Sequence, residues 1–134
     1  MVLEVMRLGE PVLMKEALPV RDLGSPRLRK LVADMWDTMH AEGGVGIAAP
    51  QVGVSERIIC FGASSRYPDA PAVPQTVLIN PTVELLIEGT ADDWEDGWEG
   101  CLSVPGMRGV VPRARRIRYT GFGLDGETIE REAQ

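Results

Sequence analysis

Ser25-Pro26-Arg27-Leu28-Arg29-Lys30-Leu31-Val32-Ala33-Asp34-Met35-Trp36-Asp37-Thr38-Met39-His40-Ala41-Glu42-Gly43-Gly44 carries the clearest helical signature in this sequence. Ser25 is a side-chain cap, and Pro26 suits the first helical position, where its missing N–H costs nothing. Leu28, Leu31, Val32, Met35, Trp36 and Met39 recur at three- and four-residue steps, so they share one face and mark it as core. Gly43-Gly44 supplies the free access to positive φ that ends a helix. His40 falls in the last turn, where an imidazole interacts well with the helix dipole. Downstream the character changes to short strands. Arg57 to Phe61 and Thr76 to Asn80 are apolar and β-prone, and Val83 to Ile87 follows Pro81, which predicts a kink or bulge there. Pro68, Pro71 and Pro74 predict a surface loop between Ala63 and Pro74. Ile117, Tyr119 and Phe122 form a further strand, turned at Asp125-Gly126 into Glu127 to Glu132. Helix first and antiparallel strands after predict an α+β domain, with strands packed around helices, spanning 1–134 as a single unit.

With 44% hydrophobic and 25% charged residues in 134, the composition is that of an ordinary globular domain. A net charge of −6 argues against direct nucleic-acid binding. The basic cluster Arg113, Arg115, Arg116 and Arg118 alternates with apolar residues and reads as the solvated side of a strand. No apolar run is long enough to span a membrane, and the first residues lack a signal-peptide pattern, so a soluble cytoplasmic protein is expected. Two cysteines, Cys60 and Cys101, are too few for a disulfide framework and have no Cys-x-x-Cys spacing. Nothing in the sequence bears on oligomeric state.

Two segments stand apart from ordinary structural sequence. Gly44-Val45-Gly46-Ile47-Ala48-Ala49-Pro50-Gln51 alternates glycine with apolar residues, which lets a backbone lie close against another strand or a ligand. Gln51 closes it with an amide that both donates and accepts hydrogen bonds. A nucleotide loop is not signalled, because no Lys-Ser or Lys-Thr pair follows. The second is Trp98-Glu99-Gly100-Cys101-Leu102-Ser103-Val104-Pro105-Gly106. A cysteine among glycines and acids, with proline soon after, sits poorly in a packed strand, and its thiolate suits a transition metal. A small buried hydrophobe is the competing reading, and it is the one that fits Cys60.

In this order, after that helix, the two segments resemble the first two signature motifs of peptide deformylases. Both are present without substitution, at Gly44 to Gln51 and Glu99 to Ser103, and the resemblance extends from Gly9-Glu10-Pro11-Val12-Leu13 to the Asp125-Gly126 turn. It implies a peptide deformylase-like fold and hydrolysis of the formyl group from formyl-methionyl nascent peptides, met at the ribosome, with release of formate. It makes Cys101 a metal ligand, for Fe2+ with Ni2+, Co2+ or Zn2+ as substitutes. Gln51 and the backbone N–H of Leu102 are implied as the catalytic oxyanion donors. Gly44, Val45 and Gly46 are implied as a strand that pairs with substrate, with Gly100 and Arg108 beside the groove.

The family's third motif, His-Glu-x-x-His on a helix, has no counterpart among these residues, and His40 is the only histidine. The resemblance places that motif just past Glu130 to Ala133. The expectation is therefore a chain lacking the metal-binding helix, with weak or absent metal binding, no general acid/base and no turnover by itself. Such a helix would bury about three or four large apolar side chains at about 1.5–3 kcal/mol each, comparable with a domain's net stability of ~5–15 kcal/mol. A truncated enzyme, a second chain supplying the helix, and a naturally short gene product that binds peptides without cleaving them are the alternatives left open.

Overall fold

The computed structural model describes residues 1–63 and 73–133. One turn of helix, α1 (Pro11–Met14), precedes the main helix α2 (Pro26–Ala41). Ser25 caps α2, its Oγ accepting the Leu28 N–H at 3.2 Å. At the other end Gly43 takes φ +69°, and the Gly44 N–H returns to the Met39 carbonyl at 3.0 Å. Leu28, Val32, Met35 and Met39 are buried, while Leu31 and Trp36 form the edges of the stripe.

This face covers a five-stranded antiparallel sheet built from β1 (Gly46–Ala48), β2 (Ile58–Ala63), β3 (Val73–Leu85), β6 (Ile117–Phe122) and β7 (Thr128–Ala133). Its spatial order is β1-β2-β3-β6-β7. Ile47, Ala49, Ile58, Cys60 and Ile79 meet the helix stripe in one core. Outside this sheet, β4 (Trp94–Cys101) and β5 (Val104–Ala114) pair as a separate ribbon. Between ribbon and sheet lies an open cleft of about 610 Å³ walled by Val83, Leu85, Trp94, Pro112, Ile117 and Ala133.

The α+β architecture is as the sequence predicts, with three differences in detail. The two strands expected around Pro81 are one strand, β3, whose register shifts between Ile79 and Thr82. The expected irregularity is there as a bulge, with Asn80 at φ +51°. Of the loop expected between Ala63 and Pro74, residues 64–72 lie outside the described residues, and its ends are parts of β2 and β3. The ribbon carries no packed face and so leaves no period-two apolar pattern to read. Of the arginine cluster expected on a strand, Arg113 lies on β5 and Arg118 on β6, while Arg115 and Arg116 form the link between those strands. All four are matched by acids: Arg113 with Glu99, Arg115 with Glu95, Arg116 with Glu132, and Arg118 with Glu84 and Glu132. Exposed pairs of this kind are worth about 0.2–1 kcal/mol each, so they solubilise more than they stabilise.

Candidate functional site

Strand β1 lies at the edge of the sheet and pairs only with β2 among the described strands. Ile47 is buried in the core, which leaves the outer backbone edge of Gly46–Ala48 facing away from the sheet. An unpaired edge is a template for the main chain of a peptide. Just before it, Val45 is exposed and its carbonyl accepts the Gly62 N–H at 3.1 Å. Gly44 touches the second motif: a Cβ there would stand 2.9 Å from Leu102 Cδ1. The missing side chain is what lets the two segments meet.

After Ala48 the chain tightens into a 3-10 turn, Ala49–Val52. This folds Gln51 back so that its Oε1 accepts the Ala48 N–H at 2.9 Å. A backbone N–H can only donate, so the contact fixes the polarity of the amide and directs its NH2 group the other way. There Gln51 Nε2 donates to Ser103 Oγ at 3.2 Å and to Cys101 Sγ at 3.6 Å. Fifty residues apart in sequence, the amide and the thiol share one site.

Cys101 ends β4 and is exposed, and Leu102-Ser103 is the two-residue turn closed by the Cys101–Val104 pair. The first residue of such a turn holds its N–H outside the ladder. Leu102 therefore offers a backbone donor beside the thiol while its side chain packs against the core. Gly100 and Arg108 face each other in register one step up the ribbon, and a Cβ on Gly100 would lie 3.7 Å from Arg108 Cγ. Glu99 is held by two hydrogen bonds from Arg113, at 2.8 and 2.7 Å. That guanidinium keeps the Glu99 carboxyl below its ordinary range, away from the near-neutral pKa that suits a proton shuttle.

All eight residues singled out from the sequence lie on these two segments and the ribbon beside them. A family model for polypeptide deformylase matches residues 2–134. The chain belongs to the peptide deformylase family. It is 52% identical to peptide deformylase 1 of Bordetella pertussis, over all of this chain and 75% of that protein. With peptide deformylase 1 of Xanthomonas campestris it shares 54% identity, covering 77% of the relative. Among solved structures, a class I type b deformylase of Acinetobacter baumannii with Met-Ala-Ser bound superposes with a TM-score of 0.87 at 41% identity, covering all of this chain and 84% of that one. The deformylase of Ehrlichia chaffeensis matches with the same TM-score at 30% identity, over all of this chain and 75% of that one. Membership makes the chain a hydrolase by family.

Deformylases imply a bound metal, and the donors here fit one only in part. The Cys101 thiolate suits a transition metal, but among the described residues no group of three or more His, Cys, Asp or Glu side chains is placed to hold an ion. His40 lies in the last turn of α2, stacked on Trp36 with ring centroids 6.0 Å apart. The described residues do not complete a metal site.

The two cysteines differ sharply. Cys60 is fully buried in β2, and burial pushes its thiol up to about 12. A raised thiol pKa keeps the group protonated at neutral pH, and only the thiolate is the nucleophile. A disulfide reagent at pH 8 is therefore expected to titrate Cys101 alone in the folded protein and both thiols after denaturation. Equal rates for both in the folded state would contradict this arrangement.

Sequence reasoning quoted Ser103 within the motif but gave it no role, and it assigned nothing to residues 6–8. In the deformylase fold both matter: the Met6 N–H donates to the Gln51 carbonyl at 2.6 Å, and the Leu8 N–H to the Ser103 carbonyl at 2.9 Å. Backbone donors leave no side-chain signature, so no signal in the sequence could have found them.

Proposed function

We propose that this site serves the metal-dependent removal of the formyl group from formyl-methionyl nascent peptides, releasing formate. The observation that carries the reading is the Gln51 amide, oriented by Ala48, 3.6 Å from the Cys101 sulfur and next to an open strand edge. The peptide backbone adds to the outer edge of Gly44, Val45 and Gly46 as an extra strand, with Gly100 and Arg108 flanking its path. This brings the formyl oxygen to the Gln51 NH2 and the Leu102 N–H. Negative charge develops on that oxygen as the carbonyl is attacked, and a preorganised donor aimed at it contributes about 3 kcal/mol. The Met-Ala-Ser peptide bound to the Acinetobacter baumannii relative supports a methionine-led ligand. The ion we assign is Fe2+, with Ni2+, Co2+ or Zn2+ as substitutes, and Cys101 as its one recognisable ligand; binding in the 134-residue chain is weak or absent. The setting that goes with this substrate is the cytoplasm, where formyl-methionyl chains leave the ribosome.

The partial donor set favours a second reading, a module that holds peptides in the same groove without cleaving them. Reading the coding sequence past the Gln134 codon, and assaying its product with ferrous ion for formate release, separates the two. The hydrolase reading expects a His-Glu-x-x-His downstream, formate released from formyl-Met-Ala-Ser, and a Gln51→Ala variant slower in kcat by about 10²–10³-fold. An immediate stop codon, with the formyl peptide bound but recovered intact, would overturn it in favour of the binding module.

A further inference from the structure

We propose that Ser103 is a positioning residue: its buried hydroxyl holds the Gln51 amide over the turn that carries Cys101 and Leu102. The inference rests on the deformylase reading for its functional meaning, though not for its geometry. A glutamine side chain has three rotatable bonds, and holding it in one rotamer costs up to about 2 kcal/mol of entropy. Gln51 is only half-buried, so packing alone does not fix it. Two strong contacts do. The bond from Ala48 N to Oε1 lies within the amide's own turn and sets which end points outward, but it moves with that turn. The bond from Nε2 to Ser103 Oγ reaches the other motif, and it alone ties the amide firmly to the catalytic turn. The thiol cannot replace it, because sulfur is a weak acceptor and stands 3.6 Å away.

Ser103 is itself well anchored. It is 5% exposed, and its carbonyl accepts the Leu8 N–H while the Gln51 carbonyl accepts the Met6 N–H. Two donors, two residues apart, thus bind one motif each and hold the spacing across which the serine and the amide meet. Without the hydroxyl, the amide keeps its local bond and the weak contact to the Cys101 sulfur, and can leave Cys101 by changing rotamer. The serine touches the amide and not the formyl group, so it acts through Gln51.

The test uses the 134-residue chain, isotope-labelled, with the Gln51 side-chain NH2 resonances as the readout. In the unaltered protein these protons are expected to show a nuclear Overhauser contact to the Ser103 β-protons. In Ser103→Ala they should shift and exchange with solvent about tenfold faster, the loss expected for one hydrogen bond. Ser103→Thr, which keeps a hydroxyl, should restore the original behaviour; a purely structural role for Ser103 would disturb backbone amides broadly and would not be rescued. Absence of the contact in the unaltered chain overturns the proposal even where the alanine variant does not fold. So does a Gln51 pair indifferent to Ser103→Ala, or one that Ser103→Thr leaves displaced. Titration with formyl-Met-Ala-Ser is the separate control: a peptide that moves no resonance counts against the deformylase reading, while the response to Ser103→Ala still decides the role of the serine.

Discussion

Asn80→Ala is expected to lower the stability of this domain by about 3–5 kcal/mol, a large part of the ~5–15 kcal/mol that holds a domain together. Asn80 Oδ1 accepts the Val20 N–H at 2.8 Å, and its Nδ2 donates to the Val20 carbonyl at 3.0 Å. The side chain therefore acts as a missing strand neighbour for a residue that is only 5% exposed. Truncation leaves a buried donor and a buried acceptor unpaired, at about 1–3 kcal/mol each. The backbone adds to this, because φ +51° suits asparagine and glycine, whereas alanine there costs about 1–2 kcal/mol. Asn80→Gly should accordingly be less damaging than Asn80→Ala by about 1 kcal/mol, despite losing the same side-chain bonds. Urea unfolding measures all three chains, and an unshifted midpoint for Asn80→Ala would contradict the role of this clamp. The consequence for the site is indirect: Asn80 sits where the pairing of β3 with β6 shifts register, and β3 carries β2 and, through it, the edge strand β1.

Given ferrous ion and formyl-Met-Ala-Ser, the 134-residue chain is expected to release formate no faster than buffer. Enzymes typically accelerate their reactions by about 10⁶-fold or more, so the expected loss is the whole catalytic effect. A catalytic transition-metal site of this kind uses three protein donors and an open position. Here the described residues bring Cys101 to the site and no group of three donors with it. His40, the only histidine, is stacked on Trp36 at the end of α2. Arg113 engages Glu99 through two hydrogen bonds and holds its carboxyl below the ordinary range, which makes it a weaker base than an ordinary carboxylate. Formate release that scales with chain concentration and disappears in Cys101→Ser would refute this expectation.

The helix was legible because cap, stripe and stop all lie within twenty consecutive residues, where local rules operate. The bulge of β3 was legible too, since Pro81 cannot donate to a ladder, but the same proline made one long strand read as two. The ribbon was opaque for a physical reason. Gly97, Gly100, Gly106, Gly109, Pro105 and Pro112 interrupt it, and Trp98, Met107 and Val110 lie exposed, so neither propensity nor burial periodicity marks β4 and β5. At the site, Gln51 and Cys101 each carried weak chemistry when read alone. Their register with a family pattern brought them forward, and the fold brings them to 3.6 Å. The contacts that hold them there, from Ser103 and from the N–H groups of Met6 and Leu8, depend on chain crossings that no local pattern encodes.

The measurement that bears most directly on this account is the position of the formyl proton in a complex of the chain with formyl-Met-Ala-Ser, labelled with carbon-13 at the formyl group. The account predicts nuclear Overhauser contacts from that proton to the Gln51 NH2 and the Leu102 N–H, with the peptide backbone alongside Gly44–Gly46. A bound peptide whose formyl group meets neither donor would contradict it.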